Sequence, residues 1–174
     1  LGGTRTCLTT FSASEVVVGG GATLDLGGLT HSVSGNWASN AVDAAVTGEG
    51  TIEFVGNGRV VTGSNPLPNV LVSAGVRSVN ATTVAGDVSM TGGQLSVLED
   101  QVLTVDGDAH LLAGVVGFST SLAGGDEVID VAGSATVTAS AGPHTKRSVI
   151  RVAGDWTSSG AYAPSAGRVE LTGP

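Results

Sequence analysis

Short runs in which apolar and polar residues alternate, each closed by glycine, fill most of this chain. Thr23-Leu24-Asp25-Leu26 ends in Gly27-Gly28, and Thr51-Ile52-Glu53-Phe54-Val55 ends in Gly56-Asn57-Gly58. Val16-Val17-Val18 runs into three glycines, Asn69-Val70-Leu71-Val72 follows a Pro-Leu-Pro stretch, and Arg168-Val169-Glu170-Leu171 precedes Thr172-Gly173. A period of two puts Leu24 with Leu26 and Ile52 with Phe54 on one side of a half-buried strand. Trp37 is expected to share the hydrophobic face of Ile52 and Phe54.

A second pattern is longer. Val33-Ser34-Gly35-Asn36-Trp37 returns as Val152-Ala153-Gly154-Asp155-Trp156, and in weaker form at Val84-Gly86, Val105-Gly107 and Val131-Gly133. A strand that ends each time in a glycine turn, usually followed by Asn or Asp, describes an internal repeat. From Val84 the valines are spaced by 21, 26 and 21 residues, and Trp37 lies 119 residues before Trp156. A period in the low twenties suits one coil of a parallel β-helix, with two or three short strands joined by turns. The predicted fold is therefore all-β, a parallel β-helix (β-solenoid) with rungs of 21–26 residues. The alternative is an antiparallel β-sandwich, for which turns inside each repeat supply the signal. Residues 1–174 then form one solenoid segment, expected to be an excerpt of a longer array with a repeat unit of about 119 residues, Val33 to Val152. Coils hydrogen-bonded at about 4.8 Å make a rod roughly 30–35 Å long, with open sheet edges at its ends.

Gln94 to Asp106 contains neither Gly nor Pro, and Leu95, Leu98, Val102 and Val105 would line one face of a helix. The strand reading is preferred: Leu95 and Val97 before a polar turn at Glu99-Asp100-Gln101, then Leu103 and Val105.

Composition sharpens this picture. Apolar residues make up 41 % of the chain but aromatics 3 %, so the core is built from Val, Leu, Ile and Ala. Twenty-eight glycines count heavily against helix. Seven Lys and Arg against fifteen Asp and Glu give a net charge of −8 with no basic stripe, which disfavours nucleic acid as a partner. No apolar run is long enough to span a membrane as a helix. Cys7 stands alone and pairs, if at all, with another chain or segment.

Candidate chemistry is sparse. Asp106, Asp108, Asp126 and Glu127 are the calcium candidates, but their spacing repeats no nonapeptide or EF-hand pattern, and Asp and Asn in turns commonly satisfy turn backbone instead. A polysaccharide lyase or hydrolase on this fold would draw on Asp106, Asp108, Asp130 and Arg151, brought together by stacking. His31, His110 and His144 have no companion ligand motif, and no nucleophile elbow accompanies the serines. Trp37 and Trp156 read as packing anchors, and Pro143 to Arg147 is a locally basic loop. No cofactor is indicated.

Several segments together carry a resemblance: PNVLV (Pro68 to Val72), V-x-G-D (Val84 to Asp87), TGGQLSV (Thr91 to Val97), LTVDGD (Leu103 to Asp108), GDWTSSG (Gly154 to Gly160) and GRVELTG (Gly167 to Gly173). They resemble secreted and cell-surface β-solenoid repeats of bacteria, as in filamentous adhesins and autotransporter-type passenger regions. The resemblance implies an extracellular or cell-surface setting and a structural or adhesive role, and it transfers no catalytic residue. The expected partners are further coils, from the same chain or a second copy meeting an open end, and surface glycans. The variable loops Asn40 to Val46 and Ala141 to Lys146 are the expected contact surfaces.

Overall fold

The computed structural model describes residues 3–98, 100–118, 127–138, 140–141, 148–159 and 167–173. These residues form a parallel β-solenoid of about seven turns, with no helix. Each coil visits three faces. The first face stacks Ser12–Ala13, Thr30–Val33, Thr51–Phe54, Asn69–Val72, the beginnings of the two long strands Val88–Val97 and Ala109–Phe118, then Ala135–Val137 and Trp156–Ser158. The second face stacks Val16–Val17, Trp37–Ala38, Gly58–Val61, Val76–Asn80, the ends of the long strands, and Ser140–Ala141. The third face begins with Gly3–Thr6, Ala22–Asp25 and Ala45–Thr47. It resumes with Thr82–Val84, Val102–Val105, Val128–Val131, Val149–Val152 and Arg168–Leu171. Every strand pair among the described residues is parallel, which rules out the antiparallel sandwich.

Alternation along each strand decides what is buried. On the first face Val33, Phe54, Val72, Met90, Leu111 and Val137 form one inward column, while Ser32, Glu53, Leu71, Ser89 and His110 form the outward column beside it. On the third face Val84, Val105, Val131 and Val152 lie in a single column, each at most 1 % exposed, and Leu171 continues it. Stacking like on like gives each aliphatic side chain a neighbour above and below, so small β-branched residues fill an interior too narrow for many rings.

Val33 belongs to a different column. The turn from Val33 to Trp37 leads from the first face to the second, whereas the turns after Val84, Val105, Val131 and Val152 lead from the third face to the first. Trp37 accordingly pairs with Val16 and Val60, and Trp156 with Ala135. Trp37 also lies one face beyond Ile52 and Phe54, though all three are buried in the same core. Coil length is more variable than the valine spacing suggests: Phe54 stacks on Val72 after only 18 residues.

Here the strands Val88–Val97 and Val102–Val105 bear out the preferred reading, with Leu95, Val97, Leu103 and Val105 buried and the Gln101 amide bonded to the Leu98 carbonyl between them. The loop expected from Asn40 to Val46 is shorter, because Ala45–Thr47 already joins the third face.

The third face is interrupted where Pro66 and Pro68 flank Leu67, since proline has no N–H to give to a ladder. Leu67 alone bridges to Val84 there. Asparagine amides take over the missing bonds: Asn65 Nδ2 donates to the carbonyls of Ser39 and Ala41, and Asn69 Nδ2 donates to that of Glu49 at 3.2 Å.

Candidate functional site

The Val-x-Gly-Asp turns build a continuous corner between the third and first faces. Asn69 Oδ1 accepts the Asp87 amide at 3.0 Å, Asp87 Oδ1 that of Asp108 at 2.9 Å, and Asp108 Oδ1 that of Ser134 at 2.7 Å. Ser134 Oγ then accepts the Asp155 amide at 3.1 Å. Backbone bonds run alongside, from the Gly107 amide to the Gly86 carbonyl and from Gly133 to Gly107. Each Asx or Ser side chain thus replaces a ladder acceptor that the turn pulls out of line. The glycines are required by this closeness: a Cβ on Gly107 would sit 2.4 Å from Asp87 Oδ1 and 2.7 Å from the Gly86 carbonyl carbon. A second Asx corner links the first and second faces, where Asn36 Oδ1 accepts the Arg59 amide and Asn57 Oδ1 the Val76 amide.

Asp108, named both as a calcium ligand and as a catalytic candidate, therefore holds the next coil. Asp106 is exposed in the same turn, its amide bonded to the Val84 carbonyl. Glu127 is buried just before the strand Val128–Val131, and Asp126 lies outside the described residues. Among the described residues no group of three or more His, Cys, Asp and Glu is placed to hold a metal ion.

Asp130 and Arg151 do come together. They are register partners in the outward column of the third face, between Thr104 and Glu170. Arg151 Nε bonds Glu170 at 2.9 Å, and Arg168 Nε bonds it at 2.6 Å. Hydrogen bonds from Arg168 and then Arg151 hold the Glu170 carboxyl below the usual range. This is a half-exposed charged strip on the outward side of a sheet face.

One residue that the sequence left unremarked sits deep inside. Arg77 is fully buried, with its guanidinium carbon 4.2 Å from the Phe54 ring centroid. It donates to the carbonyls of Gly35 and Gly56 and, at 3.4 Å, of Val33, so that it spans two coils below its own. Burial lowers its pKa to about 10. Gly58, its register partner, makes room, since a Cβ there would meet Arg77 Nη1 at 2.5 Å. The alternation rule could have placed Arg77 inward, because it lies two residues from buried Val79.

His31 is also fully buried, whereas His110 is half-buried in the outward column. His144 and the Pro143 to Arg147 loop lie outside the described residues, as does most of the Ala141 to Lys146 surface. Trp37 is buried with Nε1 donating to Ser39 Oγ at 3.1 Å, and Trp156 is half-buried against the core. Cys7 is half-buried, and burial followed by the Asp25 charge raises its thiol pKa.

A cleft of about 500 Å³ lies at the first coil, with Phe11, Val16, Val18, Ala22 and Leu24 in its wall beside Arg5 and Glu15. Among the described residues no helix is long and apolar enough to cross a membrane.

Fold and corners together define a parallel β-solenoid protein. Comparison with family models, curated protein sequences and solved structures gives no match.

Proposed function

We propose that this chain is a non-catalytic structural and adhesive module of an extracellular fibre, sheath or cell-surface adhesin. The observation that carries the reading is the coil-to-coil corner, in which Asn69, Asp87, Asp108 and Ser134 each spend a side-chain acceptor on the amide of the coil that follows. Asp108, which an enzyme on this fold would use for acid and base chemistry, is engaged in holding the next coil. A protein held this way resists bending and extension, and it presents flat, polar faces from which surface glycans or a neighbouring fibre can be contacted. Its end strands, Gly3–Thr6 and Arg168–Leu171, offer edges on which a further coil, of the same chain or of a second copy, can pair.

The second reading is a carbohydrate-active enzyme using the strip of Asp130, Arg151 and Glu170. One experiment separates the two. Beads coated with the chain are pressed against polysaccharide surfaces while the bath is assayed for released sugar. Adhesion without release supports the scaffold, and release abolished by Asp130→Ala or Asp108→Ala establishes the enzyme. Light scattering checks the partner: mass that grows with concentration supports end-to-end pairing, and a monomer throughout removes it.

A further inference from the structure

His31 joins the first two coils through both of its ring nitrogens. Nδ1 lies 3.2 Å from the Phe11 backbone nitrogen, and Nε2 lies 3.0 Å from the Leu26 carbonyl oxygen. An amide N–H can only donate and a carbonyl can only accept, so Nε2 carries the ring proton and Nδ1 offers its lone pair. The Phe11 ring stacks on the imidazole with centroids 4.3 Å apart and planes 20° from parallel. Only the neutral ring makes both bonds.

The coil that His31 holds is weakly anchored. No residue from Gly3 to Val17 is buried, and two of its three strands, Ser12–Ala13 and Val16–Val17, are two residues long. The second coil, by contrast, buries Leu26, His31, Val33 and Trp37 completely. A rung with so little burial opens at low cost compared with the rest of the stack.

We infer that His31 is a proton-operated latch on the first coil. A proton added at Nδ1 sets two donors against each other where Phe11 donates now, and leaves a charged ring in the core facing only a carbonyl. Neither ring nitrogen is bonded to a charged side chain of the surrounding elements. Asp25 accepts from Thr6 and from the Gly27 amide, and Glu53 from Ser32 and Ser73, while Arg5 and Glu15 border the cleft and Glu49 is exposed. Opening the coil parts Nδ1 from the Phe11 donor and lets the ring reach water, so the added proton favours the open form. Stability of the first coil therefore falls as pH falls. The opened form bares the edges of Ala22–Asp25, Thr30–Val33 and Trp37–Ala38, making a strand template that is covered at neutral pH. This inference does not rest on the adhesive reading.

The test is amide hydrogen exchange by NMR on the whole chain, from about pH 7.5 to about pH 5, the range in which imidazole titrates. It is combined with a long-range ¹H–¹⁵N spectrum of the histidine rings. The expected result is an Nε2–H neutral ring at the upper end. Protection of the Phe11, Val16, Ser32 and Ser34 amides, corrected for intrinsic exchange, then stays level down to about pH 6.5, the ordinary imidazole value, and below it falls by up to about tenfold per pH unit, while the Val70 and Ala109 amides keep theirs. His31→Gln is expected to abolish that dependence, and His110→Gln to leave it intact. The latch is refuted if His31 becomes imidazolium with Phe11 still protected, if the ring is the Nδ1–H tautomer, or if all coils lose protection together. The wild-type spectra alone decide between these outcomes if His31→Gln fails to fold.

Discussion

Arg77 offers the sharpest test of how the coils are held, because a charge in an aliphatic core without a carboxylate beside it is costly. The fall of its pKa to about 10 through burial corresponds to about 3 kcal/mol of disfavoured charge. Its bonds to the carbonyls of Gly35, Gly56 and Val33 and its seat on Phe54 must at least offset that cost. Arg77→Ala removes the bonds and the volume together, leaving carbonyls without a donor and a void beside Phe54. It is expected to cost about 3–5 kcal/mol. Arg77→Met keeps most of the volume and removes the buried charge, losing only the bonds, and is expected to cost about 1–2 kcal/mol. Urea unfolding is followed by the fluorescence of Trp37 in a Trp156→Phe background, and by Trp156 in a Trp37→Phe background. Arg77 spans the coils next to Trp37, so the Trp37 transition is expected to move first and furthest. An unchanged midpoint for Arg77→Ala, or equal losses for the two variants, would refute this account.

Other expectations follow from the corners. Gly107→Ala drives a Cβ into Asp87 and Gly86 and is expected to cost about 1–3 kcal/mol, whereas Gly19→Ala, in open space, stays within about 0.5 kcal/mol of the parent by thermal unfolding. Asp108→Asn keeps the Oδ1 acceptor for the Ser134 amide, as Asn69 does for Asp87, and leaves the melting temperature nearly unchanged. Asp108→Ala loses it, at about 1 kcal/mol. Glu170 is held below its usual range by Arg168 and Arg151, so its contribution is present above the unfolded carboxyl value and is lost as pH falls through the folded one. Carboxyl NMR should show its midpoint rise in Arg151→Ala, and no rise would place its stabilisation elsewhere.

How much could be read beforehand varied with how local the cause was. The strand at Thr51–Phe54 and the turn after it are set by residues next to each other, so alternation and glycine were enough to find them. The Val84, Val105, Val131 and Val152 column was legible because coils of similar length were closed by the same turn. The Asp and Asn of those turns pointed to backbone satisfaction, but not to a neighbour's amide one coil away. Alternation could have turned Arg77 and His31 inward, two residues from Val79 and Val33, but not shown what receives them there: the Gly35 and Gly56 carbonyls and the room left by Gly58 in one case, the Phe11 amide and the Leu26 carbonyl in the other.

The sequence by itself determined that this chain is extended, glycine-turned and stacked in coils of about two dozen residues, since those properties follow from side chains and their immediate neighbours. Only the tertiary structure decided which corner each turn occupies. Val33-Ser34-Gly35-Asn36-Trp37 and Val152-Ala153-Gly154-Asp155-Trp156 are alike as strand–turn–strand units, yet they sit at different corners of the coil. The face a strand joins is fixed by hydrogen bonds to coils some twenty residues away, and no five-residue window contains them.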